Sequence, residues 1–322
     1  MKKVVALRRS VALMLAVLAV AAALSGCHRL VADEAETIRV YATFHPIYAL
    51  TEAVMRDVPD TQLRLLVQPQ DGCLRSYQLS DWDVRLLARG ADAVVMGGRG
   101  LESFEGALFG WGDDGPAMSA VLYNLELYNP GGSADGEAES HLKGPNPHLY
   151  MSLEGAGRML ESIAATMVSL DPRYADLYAR NAESAAGRIE AALTENRAAL
   201  NDLSGSRVIL MNEALVYVAR DYGLEIADWV DRESGEALYD QALSDCLARL
   251  TEAGADVVLI EKQAPRAFVE AIEAAGFAVA RLDILSTHRE GEGFDTYIDI
   301  QKSNAQAIRA AFDRARAGEG VQ

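Results

Sequence analysis

One stretch in the middle of the chain constrains the fold more than any other feature. Over residues 172–203, Ala182, Ala185, Ile189, Leu193, Asn196, Leu200 and Leu203 recur at three- and four-residue intervals, the stripe of a helix packed on one face. Pro172 suits a first helical turn, where its missing N–H costs nothing. At about 1.5 Å of rise per residue, such a helix is upwards of about 40 Å long, enough to run past two domains. On both sides of it, short apolar runs alternate with amphipathic stretches, the pattern of α/β units. Before it, strands are expected at 38–44, 63–67 and 93–96, with helices at 46–56, 80–89 and 152–170. After Gly205, strands are expected at 208–211, 257–260 and 278–282, with helices at 215–222, 236–253, 265–275 and 297–315. The expected fold class is α/β: two α/β lobes, 38–170 and 205–318, joined by one long rigid α-helix at 171–204. Residues 129–147 read as a long polar loop rich in Gly and Pro.

The N-terminus has a different character. Lys2, Lys3, Arg8 and Arg9 precede an uncharged apolar run that closes on Leu24-Ser25-Gly26-Cys27. A positive region, an apolar region and small residues before a cut are the layout of a secretory signal, here 1–26. A cysteine directly after Leu-Ser-Gly fits a lipoprotein signal peptidase, so Cys27 is the expected lipidation site and 27–37 a tether. On this reading the protein works outside the cytoplasm, and membrane contact is through the lipid anchor alone.

Composition narrows the functions further. The chain of 322 residues carries a formal charge of −17, which becomes −21 once the four cations of the leader are removed. So acidic a surface argues against nucleic acid and against adsorption to anionic lipid. Three cysteines are too few to build a disulfide scaffold.

Ligands of open α/β sheets sit beyond the carboxyl ends of the strands. His45, Asn212, Glu213, Glu261 and Asp283 stand at such ends, in both halves of the chain, so strand ends facing each other would form one shared cleft. His148 follows the long loop, and His288 lies five residues after Asp283. Imidazole and carboxylate together suit zinc or manganese. A histidine beyond a strand is also a common cap or loop residue, His141 falls in a polar loop, and Cys73 reads as a small buried residue. No nucleophile elbow, His-Glu-x-x-His or phosphate loop is present, and Gly97-Gly98-Arg99-Gly100 lacks dinucleotide spacing, so no enzyme activity is expected.

Taken in order, these segments resemble the solute-binding proteins of ABC importers for zinc and manganese, from about residue 38 to residue 312. Thr43-Phe44-His45-Pro46-Ile47-Tyr48 is similar to that family's first strand and helix entry. Ser76-Tyr77-Gln78-Leu79-Ser80-Asp81 resembles its His-x-Tyr-Glu-Pro segment, and Gly100-Leu101-Glu102 its Asn-Leu-Glu stretch. Asn146-Pro147-His148-Leu149-Tyr150 is similar to its Asp-Pro-His-x-Trp motif. Met211-Asn212-Glu213-Ala214 resembles the third-ligand segment, and Glu261-Lys262-Gln263 and Asp283 its later acidic segments. The resemblance implies a monomeric capture protein that delivers a divalent metal, zinc or manganese, as cargo to an ABC permease. It implies His148 and Asp283 as second and fourth ligands.

The other two ligand positions depart from the family. The first falls on Arg75, whose guanidinium cannot bind a metal. The third falls on Asn212, with Glu213 beside it; a one-residue shift restores a carboxylate. Either His45, Cys73 or Glu213 fills the vacated places around His148 and Asp283, or Arg75 pairs with Asp283 or Glu261 and recruits an anionic solute. A surface adhesin without transport is the remaining alternative.

Overall fold

The computed structural model describes residues 37–69, 77–112, 115–129, 144–230, 232, 235–255 and 257–318. The N-terminal lobe runs β1 (Ile38–Ala42), α1 (His45–Met55), β2 (Thr61–Leu65), α2 (Asp81–Gly90), β3 (Ala93–Met96), α3 (Glu105–Phe109), β4 (Ala117–Ala120) and α4 (Leu153–Leu170). The linking helix is α5 (Ala175–Ala199). The C-terminal lobe runs β5 (Arg207–Leu210), α6 (Leu215–Asp221), β6 (Glu225–Trp229), α7 (Asp240–Ala253), β7 (Val257–Glu261), α8 (Arg266–Ala274), β8 (Ala278–Leu282) and α9 (Phe294–Ala317). No helix among the described residues is long and apolar enough to cross a membrane.

Each lobe holds one wholly parallel sheet, and the two share a topology. The strand orders are β2-β1-β3-β4 and β6-β5-β7-β8. In both, the chain reverses direction across the sheet after its second strand. That places the crevices at the carboxyl ends of β1 and β3 in one lobe and of β5 and β7 in the other. The inner strands read as unbroken apolar runs because both faces are covered: β3 and β7 are buried at every position.

The expected fold class of two α/β lobes around one long helix matches this architecture, and the differences are local. The helix is shorter than its apolar stripe implies. Pro172–Tyr174 and Asn201–Leu203 are single 3₁₀ turns that flank α5 rather than continue it. The stripe itself is present: Tyr178, Ala182, Ala185, Ile189, Ala192, Leu193 and Asn196 are buried. Two asparagines on α5 tie it to each lobe. Asn181 Nδ2 donates to the carbonyls of Val54 (3.0 Å) and Arg56 (2.7 Å), at the end of α1. Asn196 Nδ2 donates to Tyr222 Oη (2.9 Å) and to the Gln301 carbonyl (3.2 Å). The two lie about 22 Å apart along the axis. The C-terminal helix α9 makes a second connection: Tyr297 Oη donates to the Tyr150 carbonyl at 2.8 Å, across the lobes.

A buried carboxylate braces the N-lobe crevice. Glu102 accepts hydrogen bonds from Thr43 Oγ1 (2.7 Å), Gly97 N–H (2.8 Å) and Gly98 N–H (2.8 Å). It thus clamps the loops that follow β1 and β3. Burial pushes its carboxyl above the ordinary range, against the three hydrogen bonds. Glycine is required at 98, where φ is +77° and a Cβ would stand 2.8 Å from Ala120 Cβ.

Candidate metal site

His148 begins the 3₁₀ turn Leu149–Met151 and is 6% exposed. Asn146 sets its ring. The Asn146 amide Nδ2 donates to the Glu213 carbonyl (2.8 Å), so its Oδ1 faces the histidine. That oxygen accepts from the His148 backbone N–H (3.0 Å) and pairs with Nδ1 (2.9 Å). With the proton on Nδ1, His148 turns its Nε2 toward Glu213 Oε1, 3.6 Å away. Both side chains are under 10% exposed. The N-lobe and C-lobe segments are therefore joined here, with Tyr217 Oη also donating to the Asn146 carbonyl (2.6 Å).

The adjacent Asn212 has a structural task. Its Oδ1 accepts from Ala214 N–H at 2.9 Å and caps the turn leading into α6. Of the two neighbours at the end of β5, Glu213 is the one that faces His148.

His45 opens α1 and is 2% exposed. Its Nε2 donates to the Glu292 carbonyl at 2.5 Å, which fixes the tautomer and leaves Nδ1 with a lone pair. That Nδ1 is buried and has no hydrogen-bond partner. Burial, the largest influence, lowers its pKa from 6.5 to about 4. The sign of the consequence follows directly. Above pH 6.5 the ring is neutral folded or unfolded; between 6.5 and 4 only the unfolded chain takes up the proton, so stability falls with pH. At pH 5 the loss relative to pH 7 should be about 2 kcal/mol. His288, whose pKa is raised by its bond to Asp283, acts in the opposite direction, so the comparison must be differential. Urea denaturation of the metal-free protein at pH 7 and 5 should show this loss, and His45→Gln should remove it.

Asp283 follows β8, its backbone held by a reciprocal pair with Asn304 (N–H to Oδ1, 2.8 Å; Nδ2 to carbonyl, 2.9 Å). Its Oδ1 accepts from Leu285 N–H (2.8 Å), and its Oδ2 lies 3.1 Å from His288 Nε2 and 3.7 Å from Lys262 Nζ. Burial opposes its ionisation, but the hydrogen bonds from His288 and Leu285 outweigh it and hold the carboxyl below the usual range.

Glu261 is committed elsewhere. It is fully buried, paired with Arg232 Nη2 at 2.5 Å and accepting from Gly235 N–H at 2.9 Å. Sequence reasoning missed Arg232, which sits in a loop with no pattern to mark it. Cys27, Cys73, Arg75 and His141 lie outside the described residues. The donors stand as two pairs, His148 with Glu213 and Asp283 with His288, with His45 beside His288 (ring centroids 4.8 Å apart). Among the described residues, no three His, Cys, Asp or Glu side chains are yet grouped to hold a metal ion.

Comparison with known proteins places this geometry in context. The family profile "ZnuA: Zinc-uptake complex component A periplasmic" matches residues 40–311. A "Putative metal-binding protein" of Treponema pallidum is 34% identical over 86 residues, 27% of this chain and 27% of that protein. The iron-binding protein YfeA of Yersinia pestis is 27% identical over 195 residues, 60% of this chain and 59% of that protein. The chain thus spans from about a quarter to three-fifths of the length of these curated relatives. Among solved structures, the SBP FpvC from Pseudomonas aeruginosa in complex with Mn2+ shares the fold with a TM-score of 0.73 at 21% identity, covering 87% of this chain and all of that one.

Proposed function

Because this chain belongs to the ZnuA family of periplasmic zinc-uptake components, we propose that it captures a divalent metal ion, zinc or manganese, between its lobes and delivers it to the permease of an ABC importer. The donors on this reading are His148 Nε2, Glu213, Asp283 and His45 Nδ1. One observation carries it: two buried acceptors, His148 Nε2 and Glu213 Oε1, stand 3.6 Å apart across the lobes. Two ligands on one tetrahedral zinc, with bonds of about 2.0–2.2 Å, are separated by about 3.4 Å. The pair is thus spaced as if for a shared cation. The buried Nδ1 of His45, which has no hydrogen-bond partner, is a second imidazole nitrogen with a lone pair to offer.

Glu213, rather than Asn212, supplies the carboxylate of the third position, since Asn212 is spent on its own turn. Small shifts of the lobes gather the two pairs around the ion, while α5 and α9 limit wider opening. A lipid on Cys27 keeps the capture domain beside the membrane importer, and the acidic surface suits docking on a basic permease face. The chain acts in transport as a monomer, without catalysis.

The experiment is metal-linked stability. Zinc or manganese at about 100 times its Kd should stabilise the fold by about 2.7 kcal/mol. Absence of any shift with either ion at pH 7 would overturn the reading and favour an anionic solute or an adhesin role.

A further inference from the structure

The loop between β8 and α9 does more than carry Asp283. Its far end is strapped to the N-terminal lobe by a run of hydrogen bonds. Arg64 Nη1 and Leu65 N–H donate to the two oxygens of Glu290 (2.8 and 2.9 Å). Gly291 N–H donates to Tyr48 Oη (3.2 Å), and Phe294 N–H to Glu52 Oε2 (3.1 Å). His45 Nε2 takes the Glu292 carbonyl. At its near end the Asp283–Asn304 pair fixes the loop to α9. His288 lies between these two anchorages, so both lobes determine where its ring stands.

The ring is bracketed by carboxylates. Nε2 lies 3.1 Å from Asp283 Oδ2 and Nδ1 lies 3.2 Å from Glu292 Oε2. Glu292 is itself held by Arg289 N–H (2.7 Å). Resting on the metal-capture reading above, we propose that His288 is a further donor to the captured ion: its Nε2 binds beside Asp283 Oδ2, and Glu292 orients the ring through Nδ1–H.

Three features of the geometry support this. First, Asp283 Oδ1 is already held by Leu285 N–H, so Oδ2 is the oxygen that an incoming cation meets once the exposed Lys262 ammonium, 3.7 Å away, swings aside, and His288 Nε2 is already next to it. Second, the 3.1 Å between Nε2 and Oδ2 is close to the roughly 3.4 Å that two ligands of one tetrahedral ion require, so the cation replaces the Nε2 proton, which is released to solvent, with little backbone movement. Third, a carboxylate on the remote ring nitrogen is the arrangement that fixes the tautomer and raises the basicity of metal-bound histidines. His45, with its own remote nitrogen on a carbonyl and its Nδ1 unclaimed, stands in ring contact at 4.8 Å and adds a second imidazole on the same side. This side of the site then supplies nitrogen that Arg75 cannot.

The test uses the whole purified chain, with zinc as probe, in wild type, His288→Asn and Glu292→Gln. The asparagine can still bond Asp283 but offers no imidazole. His288→Asn should weaken zinc binding at least tenfold and remove one imidazole from the zinc X-ray absorption signature. Glu292→Gln should weaken binding by about 10–100-fold with the imidazole count unchanged. A purely structural His288 would leave that count alone. Wild-type affinity and count in His288→Asn would overturn this proposal while leaving metal capture intact. Failure of the wild type to take up zinc, or manganese titrated in its place, would overturn both.

Discussion

Replacing Arg232 with methionine should cost the fold about 3–5 kcal/mol, measured as the fall in unfolding free energy in urea. The reason is what remains behind. Glu261 is fully buried, and its partners are the Arg232 guanidinium and one backbone N–H from Gly235. Removing the cation strands a buried carboxylate without its partner, a larger penalty than the pair's own net worth. Arg232 also stacks over Phe268 (5.2 Å to the ring centroid) and donates to the Glu236 carbonyl (2.6 Å), so the loop before α7 should loosen with it. The double variant Arg232→Met with Glu261→Leu should recover most of the loss, because two apolar side chains of similar volume need no compensation. A single variant that loses less than about 1 kcal/mol would show that the pair is not isolated from water.

Replacing His148 with alanine should weaken zinc binding by more than the 10–100-fold typical of losing an orienting group. The expectation follows from the geometry of the pair. His148 is aimed by Asn146, buried, and 3.6 Å from Glu213 Oε1. Loss of its Nε2 removes the imidazole that faces Glu213 Oε1 across the lobes. Calorimetric titration checks it, with circular dichroism to show that the variant folds. Glu261→Gln is the contrasting case: it should damage stability through Arg232 and leave metal affinity near wild type.

These two cases also separate what the sequence makes legible from what it does not. The lobes and the linking helix are written in apolar periodicity, and buried runs such as Val257–Glu261 announce themselves. Two strands escape that reading, β4 (AMSA) and β6 (EIADW). Both are edge strands, half exposed, and so lack a continuous apolar run. The end of α5 is misjudged for a related reason: Leu200 and Leu203 keep the apolar spacing and are buried, but through a 3₁₀ turn.

For the proposed site, the strand-end rule names His45, Glu213 and Asp283 as candidates, because parallel strands deliver those positions to the crevice wherever they fall in the sequence. What it cannot supply is partnership. Glu261 obeys the same rule as Glu213, yet one pairs with Arg232 from a loop 29 residues earlier and the other faces His148. The choice between Asn212 and Glu213 is a matter of which of two adjacent side chains turns back on its own loop, and only the hydrogen bond to Ala214 decides it. His288 is marked in the sequence only by its place five residues after Asp283; its position depends on a loop stitched to the opposite lobe through Glu290, Gly291 and Glu292.

On the proposed function, the cleft takes up one divalent metal ion through His148, Glu213 and Asp283. Equilibrium dialysis of the purified, metal-stripped chain against zinc and against manganese, followed by elemental analysis, tests it most directly. One tightly held equivalent is expected, and it should be lost in His148→Ala. Retention of neither ion by the folded wild type, or equal retention by His148→Ala, would contradict it.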